Sequence, residues 1–226
     1  MTGDVRSGQS VDLVAMFTEG NLDKRFDKLR DQVELLEDEF SQLDELISDY
    51  VAAIPLAAYD TGSSDGDRFA QWVTRRTPLS DEQRDVLAVI RSRHAIEEIA
   101  RFNRLAHVRF QERVSLNSTL LPELRTSTSL RLYLNPIRLI THFDSSLFVD
   151  ADSSADAVFF AVGTEIRVAI LDENGHRVLR VLSETDGLLL SELLTAVHSK
   201  TGVAVSDDEL IGIASDCADL GLIALG

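Results

Sequence analysis

Catalysis needs side chains that move protons, attack carbon or hold metals, and this sequence of 226 residues offers few in useful spacing. The five histidines stand at 94, 107, 142, 176 and 198, and no two are three or four residues apart, so no helix turn presents a histidine pair to a metal. His94 and Glu98 share one helical face, but two ligands fall short of a catalytic metal site, and the pair reads as a surface contact. Asp150, Asp152, Ser154 and Asp156 imitate the first half of a calcium loop. Ala155 stands where that loop needs glycine and Ala161 where it needs its last acid, so this stretch is expected to be a linker. Cys217, the one cysteine, lies in apolar helical sequence with no histidine near it and is expected to be an inert, buried thiol. The P-loop, G-x-G-x-x-G and H-E-x-x-H patterns are missing. No catalytic residue, metal ligand or cofactor is therefore expected in this chain.

The elements that would position a site are easier to see. Leu22, Phe26, Leu29, Val33, Leu36, Phe40, Leu43, Ile47, Tyr50 and Ile54 recur at spacings of four and three, a heptad seam with Asn21 placed to cap its start and Pro55 to end it. The seam fits a long helix or broken helix pair packed into its own bundle, or a coiled coil with another chain. Residues 1–20 show no periodicity, and Tyr59 to Asp67 reads as a loop. A short helix is expected over Arg68 to Arg76, with Phe69, Trp72 and Val73 as core. Ser80 and Gln83 form a capping box opening a long helix to about Val114. Residues 129–143 read as extended, broken at Asn135-Pro136.

After an acidic, serine-rich stretch over 144–156 the pattern changes to strands: Val158 to Val162, Glu165 to Leu171 and His176 to Ser183, with turns at Gly163-Thr164 and Glu173-Asn174-Gly175. A helix over Leu188 to Lys200 follows, stopped by Thr201-Gly202. Ser206 then caps a helix that Gly221 ends, and Leu222 to Leu225 form a last strand. The expected fold class is α+β. A helical N-terminal domain (1–143), a linker (144–156) and a small winged-helix-like domain (157–226) of three strands and three helices make up the chain.

Charge narrows the function classes. The net charge is −16, unevenly spread: 16 acids and 5 bases over 1–67, 7 acids and 13 arginines over 68–138, and 15 acids and 4 bases over 139–226. The basic middle is either neutralised inside the fold or presented to an acidic partner, with Arg91, Arg101, Arg104 and Arg109 as candidate partner-binding residues. Residues 187–226 contain only Lys200 against six acids, which disfavours a DNA-reading helix there. No apolar run approaches the roughly 18 residues of a membrane span, the first ten residues lack a secretory signal pattern, and a lone cysteine fits a reducing, cytoplasmic setting.

Several short stretches carry a resemblance. They are Asp49-Tyr50 with Ile54-Pro55, Phe69 and Trp72, Arg91-Ser92-Arg93-His94-Ala95 and Ala100-Arg101. Arg109-Phe110-Gln111-Glu112, Leu134-Asn135-Pro136-Ile137 and Phe159-Phe160-Ala161-Val162 continue them. Together they resemble the partner proteins of multinuclear non-heme iron-dependent oxidases that modify ribosomally made peptides, in particular the TglI-type branch of the 3-thiaglutamate pathway. Residues 157–225, closing on Leu220-Gly221-Leu222-Ile223, resemble the PqqD-like recognition element for such peptides.

The resemblance implies a non-catalytic subunit that presents a precursor peptide to a separate, iron-holding oxidase. In the TglI-type branch the coupled reaction excises the β-carbon of a C-terminal cysteine. It also implies that the peptide adds as a strand between the third strand and the third helix. On the expected strands this assigns peptide binding to Arg177, Val178, Leu179, Arg180, Val181 and Leu182, and to Leu210, Ile213, Ala214 and Cys217 on the helix. The rival expectation is a winged-helix transcriptional regulator dimerising through the 22–54 seam.

Overall fold

A computed structural model describes residues 20–54, 64–76, 78–127, 129–145, 154–201 and 205–226. The fold is α+β, with a helical N-terminal part and a C-terminal part built on small antiparallel sheets. Two compact units divide between His94 and Ala95, inside helix α4. Residues 1–19, the Pro55 stop, the Gly202 stop and most of the 144–156 stretch lie outside the described residues; of the expected 59–67 loop residues 64–67 are described, and Asp65 to Asp67 are helical where a loop was expected.

In the N-terminal unit a helix α1 over 20–32 already contains Asn21, which is therefore not its cap. A 3-10 turn, Glu34–Leu36, leads to α2, Leu43–Ala53. Helix α3 spans Asp65–Arg76 and α4 Asp81–Phe102. The heptad seam is thus a broken helix pair: Val33 leaves helical geometry at φ −117°, ψ 18°, just before the acidic run Glu37-Asp38-Glu39. Its spacing survives the break because both halves feed one core. Leu29, Val33, Leu36, Phe40, Leu43, Ile47 and Tyr50 are buried there with Phe69, Val73, Val86 and Ile90. Each fully buried Leu, Ile or Phe contributes roughly 1.5–3 kcal/mol relative to exposure.

One buried charge sits against that core. Arg25 grips Asp65 with two bonds, Nε to Oδ2 at 2.8 Å and Nη2 to Oδ1 at 2.9 Å, while Nη1 donates to the Ile54 carbonyl and the Tyr50 hydroxyl donates to Asp65 Oδ1 at 2.8 Å. Burial, then the neighbouring Asp65 carboxylate, push the Tyr50 phenol well above its ordinary range, so it stays a donor. The expected capping box forms: Gln83 N donates to Ser80 Oγ and Ser80 N to Gln83 Oε1, both at 3.2 Å.

In the C-terminal unit, α5 (Arg104–Val114) begins after Asn103, whose side chain donates to the Ile99 carbonyl at 2.9 Å. That local bond interrupts what the sequence suggested as one helix to Val114. A short helix α6, Asn117–Leu120, and a 3-10 turn follow. Strands β1 (Arg131–Leu134) and β2 (Arg138–Phe143) flank Asn135-Pro136 as expected. Next come β3 (Ala155–Val162), β4 (Glu165–Leu171), α7 (Glu173–Ser183), β5 (Leu188–Leu189), α8 (Leu190–Thr201), α9 (Asp207–Leu220) and β6 (Ile223–Leu225).

Two antiparallel sheets result, ordered β5-β1-β6 and β2-β3-β4. Because β2 pairs with β3 from Arg138↔Phe160 to Phe143↔Ala155, the stretch over 131–143 belongs with the C-terminal sheets, in one unit with α5 and α6, and not with the N-terminal helices. Ala155 and Asp156, expected in the linker, are the first residues of β3.

The third expected strand is the main correction. His176 to Ser183 is part of helix α7, started by Asp172, whose side chain accepts from Gly175 N at 2.6 Å. Glu173-Asn174-Gly175 is a first helical turn and not a hairpin. The apolar positions Val178, Leu179, Val181 and Leu182 lie at i, i+1, i+3 and i+4, a helical face, and Arg180 would have broken strand alternation. At the far end the expected signals hold: Ser206 accepts from Glu209 N at 3.2 Å, and Gly221 ends α9 at φ +80°.

Two buried asparagines join these pieces. Asn117 donates to the carbonyls of Ala218 (2.7 Å) and Ile223 (2.8 Å) and accepts from Leu225 N (2.9 Å). Asn135 donates to Ala161 O at 2.8 Å and accepts from Ile137 N at 2.8 Å. Replacing Asn117 by Ala strands two buried main-chain groups, Ile223 O and Leu225 N, while Ala218 O keeps Gly221 N at 3.1 Å, and should cost about 3 kcal/mol of folding stability. Ser118→Ala, at the exposed neighbour, should change little. Urea unfolding of both variants checks this, and equal stability of the two would remove the structural role given to Asn117.

Candidate peptide-binding and docking surfaces

Moving residues 176–183 from strand to helix relocates half of the expected peptide site. Val178, Leu179, Val181 and Leu182 are buried in the core of the C-terminal unit, together with Leu210, Ala214 and Cys217 of α9. Their side chains hold helix on helix and helix on sheet. Ile213 is half-buried against the same core. Arg177 donates to Asn174 Oδ1 at 2.7 Å and pairs with Glu173 one turn back, while Arg180 is exposed.

A sheet edge with main chain to offer lies elsewhere. The third strand of the three-stranded sheet is β4, which ends the order β2-β3-β4. Its register with β3 runs from Val162↔Glu165 to Asp156↔Leu171 across the Gly163-Thr164 turn, where Gly163 adopts φ +61°. Antiparallel pairing alternates, so every second residue of β4 turns its N–H and C=O away from β3. Side chains alternate as well. Ala169 and Leu171 pack on the core, while Val168 and Ile170 are 49% and 45% exposed on the other face. Helix α9 lies alongside: Arg167 Nη1 donates to the Leu220 carbonyl at 3.0 Å, and Asn174, just after β4, donates to Glu209 Oε1 at 2.7 Å.

The basic middle of the sequence splits into two groups. Arg91 pairs with Asp67 at 3.1 Å, Arg76 pairs with Asp49, and Arg113 stacks over the Tyr133 ring at 3.9 Å from its centroid. These arginines serve the fold. Arg101, Arg104 and Arg109 are exposed and make no ion pair among the described residues. Beside them Phe102, Leu105 and Val108 are 74%, 65% and 46% exposed. At helical spacing Leu105, Val108 and Arg109 share one face of α5, and Arg101 and Phe102 end α4 just before it. An apolar stripe with arginines at its margin is the composition of a docking surface; an ordinary solvated helix face is polar.

Among the described residues no three His, Cys, Asp or Glu side chains gather where they could hold a metal ion. The densest titratable group is a carboxylate between two imidazoles: Asp156 Oδ1 lies 2.6 Å from His142 Nδ1 and Oδ2 lies 2.8 Å from His176 Nε2. It joins β2, β3 and α7. His107 instead reaches the Gly163 carbonyl at 3.0 Å, and His94 packs over Gly66, where an added Cβ would meet its Nε2 at 2.6 Å. Of the calcium-loop imitation only Ser154, Ala155 and Asp156 are among the described residues. Among the described residues no helix is long and apolar enough to cross a membrane. No protein-family model matches the sequence, and no curated protein matches it significantly.

Cys217 is buried, and that burial, with Asp216 and Asp172 nearby, pushes its thiol up to about 11. At pH 8 only about one thiol in a thousand is then ionised, against roughly a quarter for an ordinary cysteine. Alkylation by iodoacetamide at pH 8 should run at least about a hundredfold slower in the folded protein than in urea. Equal rates would show an open, reactive thiol.

Proposed function

We propose that this chain is a non-catalytic peptide-recognition subunit that binds a ribosomally made precursor peptide and presents it to an iron-dependent oxidase. The observation that carries the reading is the open outer edge of β4, with half-exposed Val168 and Ile170 on it and α9 alongside. The order of elements supports it with one exchange: β2, at Arg138–Phe143, takes the place of the strand expected at 176–183, and α7, α8 and α9 follow β4 with the two-residue β5 between α7 and α8. The peptide adds as a fourth strand beside β4, its main chain supplying affinity and its apolar side chains meeting Val168, Ile170 and the outer side of α9 at Ile213 and Leu220. The oxidase docks on Phe102, Leu105 and Val108, with Arg101, Arg104 and Arg109 steering an acidic rim. Iron, and any excision of a cysteine β-carbon, belong to the oxidase.

The rival reading, a transcriptional regulator dimerising through the 22–54 seam, lacks its dimer surface. The seam residues from Leu29 to Tyr50 are buried within their own unit.

Titrating a panel of labelled precursor-like peptides, apolar, basic and acidic, tests the capture step. Val168→Pro removes one β4 amide and should weaken binding at least about tenfold with the circular dichroism spectrum unchanged. Undiminished affinity in a folded variant moves the peptide away from β4. Leu105→Asp should weaken the complex with the oxidase by about the same factor. Metal analysis of the two separated chains should place the iron with the oxidase, and tightly held iron on this chain would end the proposed division of labour.

A further inference from the structure

The same sheet has a second open edge, in a different chemical setting. Among the described residues no strand pairs with the outer side of β2. Arg138 and Ile140 stand opposite Phe160 and Val158, so they share the sheet face on which Val178 and Leu182 of α7 pack. Because β2 is the edge strand, this leaves a groove of about 660 Å³ between β2 and α7. Its floor is apolar, from Ile140 and Leu179, and its walls carry Arg138, Arg177, Arg180 and His176. The one acid in the lining is Glu173, already paired with Arg177. Arg138 donates to the Asn135 carbonyl at 2.6 Å and is held in the wall, where burial lowers its pKa, so that a counter-charge there is worth more than at the surface. Arg180 has no side-chain partner among the described residues.

We propose that this groove binds an acidic polypeptide segment, its carboxylates meeting Arg138, Arg177 and Arg180 while its main chain follows the open edge of β2. Three features select that occupant. Three guanidiniums against one carboxylate leave a surplus of two positive charges that favours anions, and planar guanidinium forks suit carboxylates. An edge strand forming one wall offers main-chain donors and acceptors to an extended chain and nothing equivalent to a small anion. No Phe, Tyr or Trp lines the groove, so a nucleotide base has no ring to stack on. The site is separate from the β4 edge and does not depend on what that edge binds.

A chain of net charge −16 repels acidic peptides over most of its surface, so binding of one is a stringent readout. Fluorescein-labelled heptaglutamate and its all-glutamine counterpart are titrated at low salt into the full chain, into Arg180→Glu and Ile140→Glu, and into Arg125→Glu, an exposed site outside the groove that matches the charge change of Arg180→Glu. Heptaglutamate should bind and the glutamine peptide should not. Arg180→Glu and Ile140→Glu should each weaken binding at least about tenfold, with melting temperatures near wild type, and Arg125→Glu less than about threefold. The proposal is overturned if both groove variants bind like wild type, if Arg125→Glu weakens binding as much as they do, or if the glutamine peptide binds equally. Displacement of heptaglutamate by equimolar inorganic phosphate also overturns it, since the groove would then take a small anion.

Discussion

The C-terminal unit depends on how its last strand is satisfied. Strand β6 begins directly after a left-handed glycine at the end of α9, and Ile223, Ala224 and Leu225 are fully buried. A helix end and a strand start buried within a few residues of each other leave main-chain groups that neither element can pair, and each unpaired group costs about 1–3 kcal/mol. Asn117 and Asn135 take up those groups. Only a carboxamide offers two donors and an acceptor at once in an uncharged side chain of this size; aspartate would put a charge in the core and leucine would leave the carbonyls bare. Asn135 extends the tie, since it bonds both Gly221 O and Ala161 O and so joins the end of α9 to strand β3. Both edge strands of that sheet hang on β3. The position of each candidate binding edge is therefore set by a buried polar contact far from any ligand.

A three-stranded sheet in a folded protein has two exposed edges, and each must be blunted or used. Here the two differ. Helix α7 brings arginines to the β2 side, and with Arg138 they make that edge positive. Helix α9 lies on the β4 side and carries Asp207, Asp208, Asp216 and Asp219 with no base of its own. An acidic peptide is attracted by the first edge and repelled by the second. An apolar or basic one meets the reverse. Arg180, expected on a strand beside α9, lies instead on α7 and lines the groove beside β2.

Much of the fold was legible because its signals are local. Capping residues at Ser80 and Ser206, the left-handed Gly221, and the break at Asn135-Pro136 act over three or four residues and needed no tertiary knowledge. The seam was legible as a core, and its break was not: heptad spacing is blind to a turn that returns both halves to the same interior. The strand-to-helix error at 176–183 has a similar cause. Asn174-Gly175 is a strong hairpin signal when flanked by β-branched residues, yet Asp172 two residues earlier is an equally good helix cap, and burial of four apolar side chains on one helical face decided between them. Pairing of β2 with β3 across the serine-rich stretch is a contact between segments far apart in sequence, and composition alone marked only a linker. The exposed stripe at Phe102, Leu105 and Val108 was hidden for the opposite reason. Phe102 and Leu105 continue a helical pattern that promises burial, and only the fold shows that nothing in the described chain covers them.

The charge distribution acquires a consequence from this. In the N-terminal unit Arg25 pairs with Asp65, and Arg30 with Glu37 and Asp44, while Lys24, Lys28, Arg75 and Arg93 are exposed. What sets α5 and the β2 side apart is that arginines there stand beside exposed apolar side chains. Like-charge repulsion of several kcal/mol is an efficient way to reject wrong docking modes without improving the right one. A large net negative charge thereby disfavours acidic partners except where arginines gather, as they do at these two patches. Each patch combines arginine with exposed apolar side chains, Phe102, Leu105 and Val108 on one and Ile140 on the other, so that charge directs the encounter and apolar burial holds the complex.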